Sequence, residues 1–192
     1  MVFDRYIGDA SIKAVTRSKR MGKKKPIRKV IDGPHVPLPQ VWSQFIALDD
    51  NKASLAQFIS EVIMEKGKDL PERFELVTGG GFSDATDARS TRRDDVSLRA
   101  NHEEADTRLI LHSCEAVNEG HERVLVICRD TDVLLLLVHF MSTNAAEVWM
   151  ISGTAKKRKC YPIHAVSERL AKPVVDNLLS FHALTGCDST SS

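Results

Sequence analysis

The chain has 192 residues and carries 27 Lys or Arg against 26 Asp or Glu, so its formal net charge is +1. This length suffices for one well-buried core and is too short for several ordinary domains. The composition, with 42% apolar and 28% charged residues, excludes wholesale disorder. No apolar run approaches the roughly 18 residues that span a bilayer, and the first residues lack the apolar segment of a secretory signal.

The balanced total hides an uneven distribution of charge. Residues 1–30 contain ten Lys or Arg and two Asp, so this segment carries +8 and the remainder −7. A basic front and an acidic body predict contact with a polyanion near a cluster of carboxylates. The basic run over residues 19–29 is also typical of a solvated linker or a nuclear address. We therefore predict an intracellular protein, nuclear rather than cytoplasmic.

The four cysteines are widely scattered and form no Cys-x-x-Cys pair, so the sequence predicts reduced thiols and no zinc site. They are Cys114, Cys128, Cys160 and Cys187.

Hydrophobic periodicity and turn residues predict the elements in chain order. In the first half they are the end of a strand at 1–4, a basic helix at 9–20, a basic linker at 21–35, one or two helices over 39–63 that Asp49, Asp50 and Asn51 break and recap, a strand at 74–78 ended by glycines 79–81, and a polar, mobile segment at 81–95.

The second half alternates strands and helices more regularly. The predicted elements are a short strand at 96–99, a helix at 102–119 stopped by Gly120, a buried strand at 124–128, a helix within 130–141, strands at 147–151 and 159–163, and helices at 162–170 and 174–185. This alternation predicts an α/β fold with a mostly parallel sheet.

Acidic side chains stand at four places where a predicted strand or helix ends or a helix begins. Functional residues of parallel α/β sheets gather at such ends. Clustered carboxylates repel one another unless divalent cations lie between them, and Mg²⁺ prefers oxygen ligands. Two such ions about 4 Å apart can support phosphodiester cleavage. The acids are Asp4; Glu103, Glu104 and Asp106; Asp130 and Asp132; and Asp188.

Each acidic motif also has a structural interpretation. Asn101 and Glu104 have the spacing of a capping box, and Asp130 has the position of a helix N-cap. Asp188 is compatible with an ordinary turn. Cations on the predicted basic helix would complete a functional site by holding a scissile phosphate. They are Lys13, Arg17 and Arg20.

The order of these motifs resembles the flap endonuclease family, a branch of the PIN-like nucleases. That family has a strand ending in Phe-Asp-Gly, a Lys seven residues beyond the Asp and an Arg seven beyond the Lys. Here Phe3-Asp4 precedes Lys13 with a gap of nine, and Arg20 lies seven beyond Lys13. The family's Glu-Ala-Glu-Ala, Asp-x-Asp and Leu-x-Gly-Cys-Asp motifs correspond to residues 104–107, 130–132 and 184–188.

The chain is similar, more closely still, to a group of animal proteins often found near mobile elements. They share segments like EEADTR at residues 103–108, DTDV at 130–133 and HALTGCD at 182–188.

The resemblance implies a single PIN-like nuclease domain over residues 1–192, with a mostly parallel central sheet flanked by helices and a variable helical arch inserted at residues 21–95. Because the family has a further strand before the matching region and a DNA-binding element after it, we expect a fragment truncated at both ends. The implied cofactors are two Mg²⁺ or Mn²⁺ ions. The implied partner is nucleic acid, DNA rather than RNA, and no membrane is expected.

The resemblance also implies roles for individual residues. The implied metal ligands are Asp4, Glu104, Asp106, Asp130, Asp132 and Asp188. The implied catalytic cations are Lys13 and Arg20, with Arg17 as the second choice for the Arg role; the nucleic-acid-binding set adds Lys23, Lys24 and Lys25. His102, His112 and His182 would be structural or would support metal ligands, because hard cations favour oxygen over imidazole.

The predicted function is therefore a divalent-metal-dependent, structure-specific nuclease domain. The resemblance implies cutting by the full-length parent, and not necessarily by the fragment alone. Two other functions remain open on the sequence. One is a nuclease-derived module that binds nucleic acid or protein without cutting. The other is a phosphatase-like Mg²⁺ enzyme, although no downstream phosphate-binding Lys motif accompanies Asp130-Thr131-Asp132.

Overall fold

The computed structural model of the chain describes residues 1–6, 25–94, 96–142 and 146–186. The chain divides into two compact units, Met1–Ala105 and Asp106–Ser192. The predicted basic helix at 9–20 lies outside the described residues.

The first unit combines two helices with short strands. Helix α1 is Trp42–Phe45 and helix α2 is Asp49–Gly67, and a 3-10 helix follows at Val96–Leu98. Strand β1, Val77–Gly79, pairs antiparallel with β2, Ala88–Ser90. Val2 forms a parallel bridge to Gly79, and the Phe3 N–H donates to the Gly79 carbonyl at 2.9 Å. The buried apolar side chains of this unit are Ile31, Phe45, Ala56, Phe82, Ala88 and Leu98.

Two helices form in the region predicted for one or two, but the chain breaks at residues 46–48 and not at Asp49, Asp50 and Asn51, which begin α2. Helix α2 has Leu48 at its N-cap with no side-chain cap, and Asp49 and Asp50 lie in the first turn, where their charge complements the helix dipole. Asn51 is fully buried. Its side-chain amide forms hydrogen bonds with residues that precede α2 and does not cap the helix.

The second unit contains a three-stranded sheet in the order β3–β4–β5. Strand β3, Arg123–Ile127, is parallel to β4, Glu147–Thr154, and β5, Lys157–Pro162, is antiparallel to β4. The helices of this unit are α3 (Ala105–Asn118), α4 (Thr131–Phe140), α5 (Ile163–Arg169) and α6 (Lys172–Gly186). The first residue of α3 belongs to the first unit.

One face of this sheet carries the core of the second unit. Val126, Val148 and Met150 point to that face and pack in one cluster with apolar residues of the helices. The helical members are Ile110, Val133, Leu137, Val138, Met141 and Ile163. On the opposite face Leu125 is 58% exposed and Ile127 is 79% exposed. The predicted strand at 124–128 exists, but the expectation that it is buried throughout is wrong, because alternate side chains leave the core.

The predicted α/β class is confirmed, since helices and strands alternate along the chain. Among the described strand pairs, β3–β4 is parallel and the pairs β1–β2 and β4–β5 are antiparallel. The predicted strand at 96–99 is wrong, because Val96–Leu98 forms a 3-10 turn. Residues 81–94 include β2 and bury Phe82 and Ala88, which the polar sequence of this segment did not predict. No helix in the described ranges is both long and apolar enough to cross a bilayer.

Candidate functional site

Asp130 stands at the junction between β3 and α4, at the carboxyl end of a strand as the sequence predicted. Its backbone is extended, and its Oδ1 accepts a hydrogen bond of 2.9 Å from the Asp132 N–H. The structural interpretation of Asp130 as a helix N-cap is therefore confirmed. The cap uses Oδ1, and the carboxylate has a second oxygen that the cap does not require.

Asp132 lies in the first turn of α4 and meets a histidine from the last helix. Its Oδ1 is 2.9 Å from His182 Nε2. At the other end of α4, His139 Nδ1 lies 2.9 Å from the Val175 carbonyl near the start of α6. Helix α6 is thus antiparallel to α4, which explains how His182 reaches the N-terminal end of α4. The prediction that His182 is structural or supports an acidic residue agrees with this contact.

Acidic residues affect the pKa of the Cys128 thiol. Burial raises the pKa of this thiol, the negative charges of Asp106 and Asp130 raise it further, and hydrogen bonds from the Asp130 and Arg129 N–H groups oppose the rise. The Asp130 nitrogen is 3.4 Å from the sulfur. Asp106 lies in the first turn of α3. Asp130 and Asp132 thus lie together at the carboxyl end of β3, and the charge of Asp106 acts on the adjacent Cys128.

The first unit places Asp4 beside the segment that precedes α3. Asp4 Oδ1 accepts a hydrogen bond of 2.8 Å from the Ala105 N–H, and the Arg5 N–H donates to the Glu103 carbonyl at 2.6 Å. Helix α3 begins at Ala105, four residues after Asn101. The predicted capping box with Asn101 as N-cap is therefore wrong. The carboxylate of Asp4, 101 residues away from Ala105, accepts from the N–H at the helix start instead. Glu104 is half-buried in the same segment.

The donor atoms suit a hard cation, since Asp106, Asp130 and Asp132 offer carboxylate oxygens of the kind that Mg²⁺ prefers. Within the described ranges, however, no group of three or more His, Cys, Asp or Glu side chains is close enough to hold a metal ion. Asp188 and the cations Lys13, Arg17, Arg20, Lys23 and Lys24 lie outside those ranges, and Lys25 is exposed at the edge of one. The six-acid metal cluster therefore stays a prediction.

The structure also shows a cavity of about 380 Å³ beside Cys128, which the sequence reasoning missed. Two arginines, Arg129 and Arg158, line it together with Ile127 and Ile151. Arg158 belongs to a run of four consecutive cations at residues 156–159. That run is the sequence signal for this site, whereas we predicted nucleic-acid contact only from the larger basic excess of residues 1–30.

Comparison of the chain with protein-family models, with curated proteins and with solved structures found no match.

Proposed function

We propose that the chain is part of a divalent-metal-dependent nuclease of the flap-endonuclease-like, PIN-like class, which hydrolyses phosphodiester bonds of nucleic acid. The observation that supports this most directly is the position of Asp130 and Asp132 at the junction between the carboxyl end of β3 and the start of α4. A PIN-like fold, with a mostly parallel sheet flanked by helices, belongs to the same proposal. The parallel pair β3–β4 is consistent with it.

In this proposal the carboxylates of the second unit hold Mg²⁺ or Mn²⁺. Asp130 offers the oxygen that its cap leaves unused, and Asp106 offers a carboxylate from the start of α3. Two such ions supply activation of a water and stabilisation of the leaving oxygen when they are bound. Asp4, Glu104 and Asp188 are the proposed further ligands, and Lys13, Arg20 and Arg17 the proposed phosphate contacts.

His182 has a positioning role in the proposal. With its Nε2 protonated, the imidazole donates to Asp132 Oδ1 across 2.9 Å and so restricts the rotation of that carboxylate. Partners of this kind orient the acids that ligate metals. The second oxygen of Asp132 is then directed by the histidine instead of rotating freely.

The alternative is a nuclease-derived module that binds nucleic acid without cutting it. A specific observation favours this alternative: three of the acidic residues already have structural roles. Asp4 holds the Ala105 N–H, Asp130 caps α4, and Asp132 pairs with His182. In such a module these contacts would be the reason for the acidic residues.

The substitution Asp130→Asn separates the two functions. Asparagine caps helices as well as aspartate does, so the fold should persist while the charge of a metal ligand is lost. The matched control is Asp176→Asn in α6, which removes one carboxylate of the same unit that pairs with Lys172. The measurements are cleavage of flapped and branched DNA with Mg²⁺ or Mn²⁺, Mn²⁺ binding by electron paramagnetic resonance, and DNA binding in EDTA.

For a nuclease, we expect the native chain and Asp176→Asn to bind Mn²⁺ and to cut, and Asp130→Asn to do neither while it still binds DNA. Equal cutting by Asp130→Asn would refute the assignment of Asp130. A native chain that binds DNA in EDTA but neither takes up Mn²⁺ nor cuts would refute nuclease activity of this chain and support the binding module.

A further inference from the structure

The hairpin formed by β4 and β5 carries an uncompensated positive charge. Residues 153–160, which we call the basic hairpin, are all exposed. They include Lys156, Lys157, Arg158 and Lys159, and no Asp or Glu occurs between Glu147 and Glu168. Within the described part of the chain, none of these four cations forms an ion pair. A solvated surface with four adjacent like charges attracts a polyanion.

The basic hairpin adjoins the cavity of about 380 Å³. Because β3 and β4 are parallel, their carboxyl ends meet at one edge of the sheet, and the cavity opens there. The register places Ile127 opposite Ile151 and Gly153 opposite Arg158. Strand alternation then puts Arg158 on the same face as the two isoleucines. The cavity thus combines two apolar side chains with the guanidinium groups of Arg158 and Arg129.

We propose that the basic hairpin and this cavity bind the phosphate backbone of nucleic acid. Arginine binds phosphate through two parallel hydrogen bonds, and Arg129 and Arg158 converge on one space that can hold a phosphate. The isoleucines offer an apolar surface that suits a sugar or a base. Lys157 and Lys159 point to the opposite face of β5 from Arg158, about 7 Å apart, so they extend the contact to a strand that passes around the hairpin.

The position of the cavity connects it with the acidic residues. Cys128 and Arg129 line the cavity, and Asp130 follows directly in the chain. A backbone bound there would lie beside the proposed metal ligands. This inference rests on the proposed function for the identity of the polyanion as nucleic acid.

A nucleic acid fits these features better than a lipid surface does. Protein segments that bind membranes insert apolar side chains below the headgroups. The two-residue tip of the hairpin, Ala155-Lys156, offers no large apolar side chain. An apolar floor flanked by arginines, in contrast, matches the alternation of phosphate with sugar and base along a single strand.

The test compares two double variants that each remove two exposed cations from the second unit. Arg129→Ala/Arg158→Ala changes the cavity. Arg169→Ala/Lys172→Ala is the control, because Lys172 begins α6 at the C-terminal end of α4, away from Asp130. Binding of fluorescent single-stranded and duplex DNA is measured by anisotropy in EDTA over a salt series. Co-sedimentation with phosphatidylserine vesicles is measured at the same salt.

We expect the cavity variant to bind DNA at least about tenfold more weakly at 0.1 M salt. Its plot of log K against log salt should be shallower by about 1.5 to 2, since each lost phosphate contact to duplex DNA removes about 0.9 from the slope. The control should keep the native slope. Equal slopes for the two variants, or binding of vesicles in preference to DNA, would overturn the inference.

This test is independent of the nuclease test, because binding is measured in EDTA, where no divalent metal ion is free. A shallower salt slope in the cavity variant, with no cutting by the native chain, would support the binding surface and refute nuclease activity of this chain. If Lys13→Ala/Arg20→Ala flattens the slope and the cavity variant does not, the phosphate contact lies in the basic N-terminal segment and the inference fails.

Discussion

Replacing Asn51 with alanine should destabilise the first unit strongly, although the side chain is a single neutral amide. Its Nδ2 donates to the Ile27 carbonyl at 2.7 Å and to the Phe45 carbonyl at 2.8 Å. Its Oδ1 accepts from Arg28 Nη1 at 2.8 Å and from the Lys29 N–H at 3.0 Å. This one amide therefore ties the basic segment that begins at Lys25 to the start of α2.

The size of the effect follows from the burial of each partner. The bond to the Phe45 carbonyl is fully buried, so its loss leaves an acceptor without a partner and costs about 2 kcal/mol. Water can reach the Ile27 carbonyl and the Lys29 N–H, whose bonds are only partly buried, so each of these costs about 0.5 kcal/mol. Arg28 is half-exposed and can be rehydrated. The expected loss in the free energy of unfolding is about 3 kcal/mol, a large share of the stability of a typical domain.

Urea unfolding followed by Trp42 fluorescence measures this loss, in a Trp149→Phe background so that one tryptophan reports. The ring of Trp42 lies 5.2 Å from that of Phe45, next to the network. The matched control is Gln57→Ala in the same helix, which removes an exposed amide bonded to Glu61 Oε1 and should cost only about 0.3 kcal/mol. Asn51→Asp keeps the volume but replaces two donors with an acceptor, and should destabilise at least as much as alanine.

The reasoning would be refuted if Asn51→Ala cost no more than Gln57→Ala. A large loss for alanine together with a negligible loss for Asn51→Asp would show that the volume of the side chain matters and its hydrogen bonds do not.

Two further predictions concern the second unit. A hydrogen bond from Arg123 lowers the pKa of Glu147 from its ordinary value of 4.5. The pair therefore stabilises the fold above about pH 4.5 and loses this contribution as the pH falls through the lowered pKa. The melting temperature of Glu147→Gln should lie below that of the native chain at neutral pH and converge with it in acid, whereas Glu122→Gln should show no such pH dependence. Gly153 has a φ of +93° and a Cβ there would collide with the Lys157 carbonyl, whereas Gly120 has a φ of +87° with open space around it. In urea unfolding, Gly120→Ala should cost about 1 kcal/mol from backbone strain alone, and Gly153→Ala distinctly more. Equal costs would show that the carbonyl contact is relieved.

Local pattern was a good guide where an element is determined by neighbouring residues. The alternation of strands and helices from residue 102 onward predicted α3 to α6 and β3 to β5 within a few residues of their observed bounds. The stop of α3 near Gly120 also followed, because a φ of +87° strongly favours glycine. Asp130 could be predicted both as a cap and as a candidate ligand from its place between a strand and a helix.

Exposure could not be derived in the same way. The apolar run at 124–128 gives no indication of which side chains face the core, because both faces of a strand in a parallel sheet are often covered. Leu125 and Ile127 are exposed, whereas Val126 is buried, since the described helices of the second unit pack on one face. The burial of two side chains within the segment 81–95 was not predicted, for the converse reason. Its polar composition does not reveal that Phe82 and Ala88 reach a core.

By itself the sequence determined the α/β class, the bounds of the regular elements in the second half, and the candidate acidic residues, because these depend on spacing within a few residues. Only the tertiary structure decided which distant groups meet: Asp4 with the Ala105 N–H, Asn51 with the segment at 27–29, His182 with Asp132, and Arg129 with Arg158 around one cavity. A hydrogen bond or a shared cavity between residues 22 to 101 positions apart leaves no periodic trace in a chain. It arises from the packing of whole helices and strands, which places side chains that have no local relation within reach of one another.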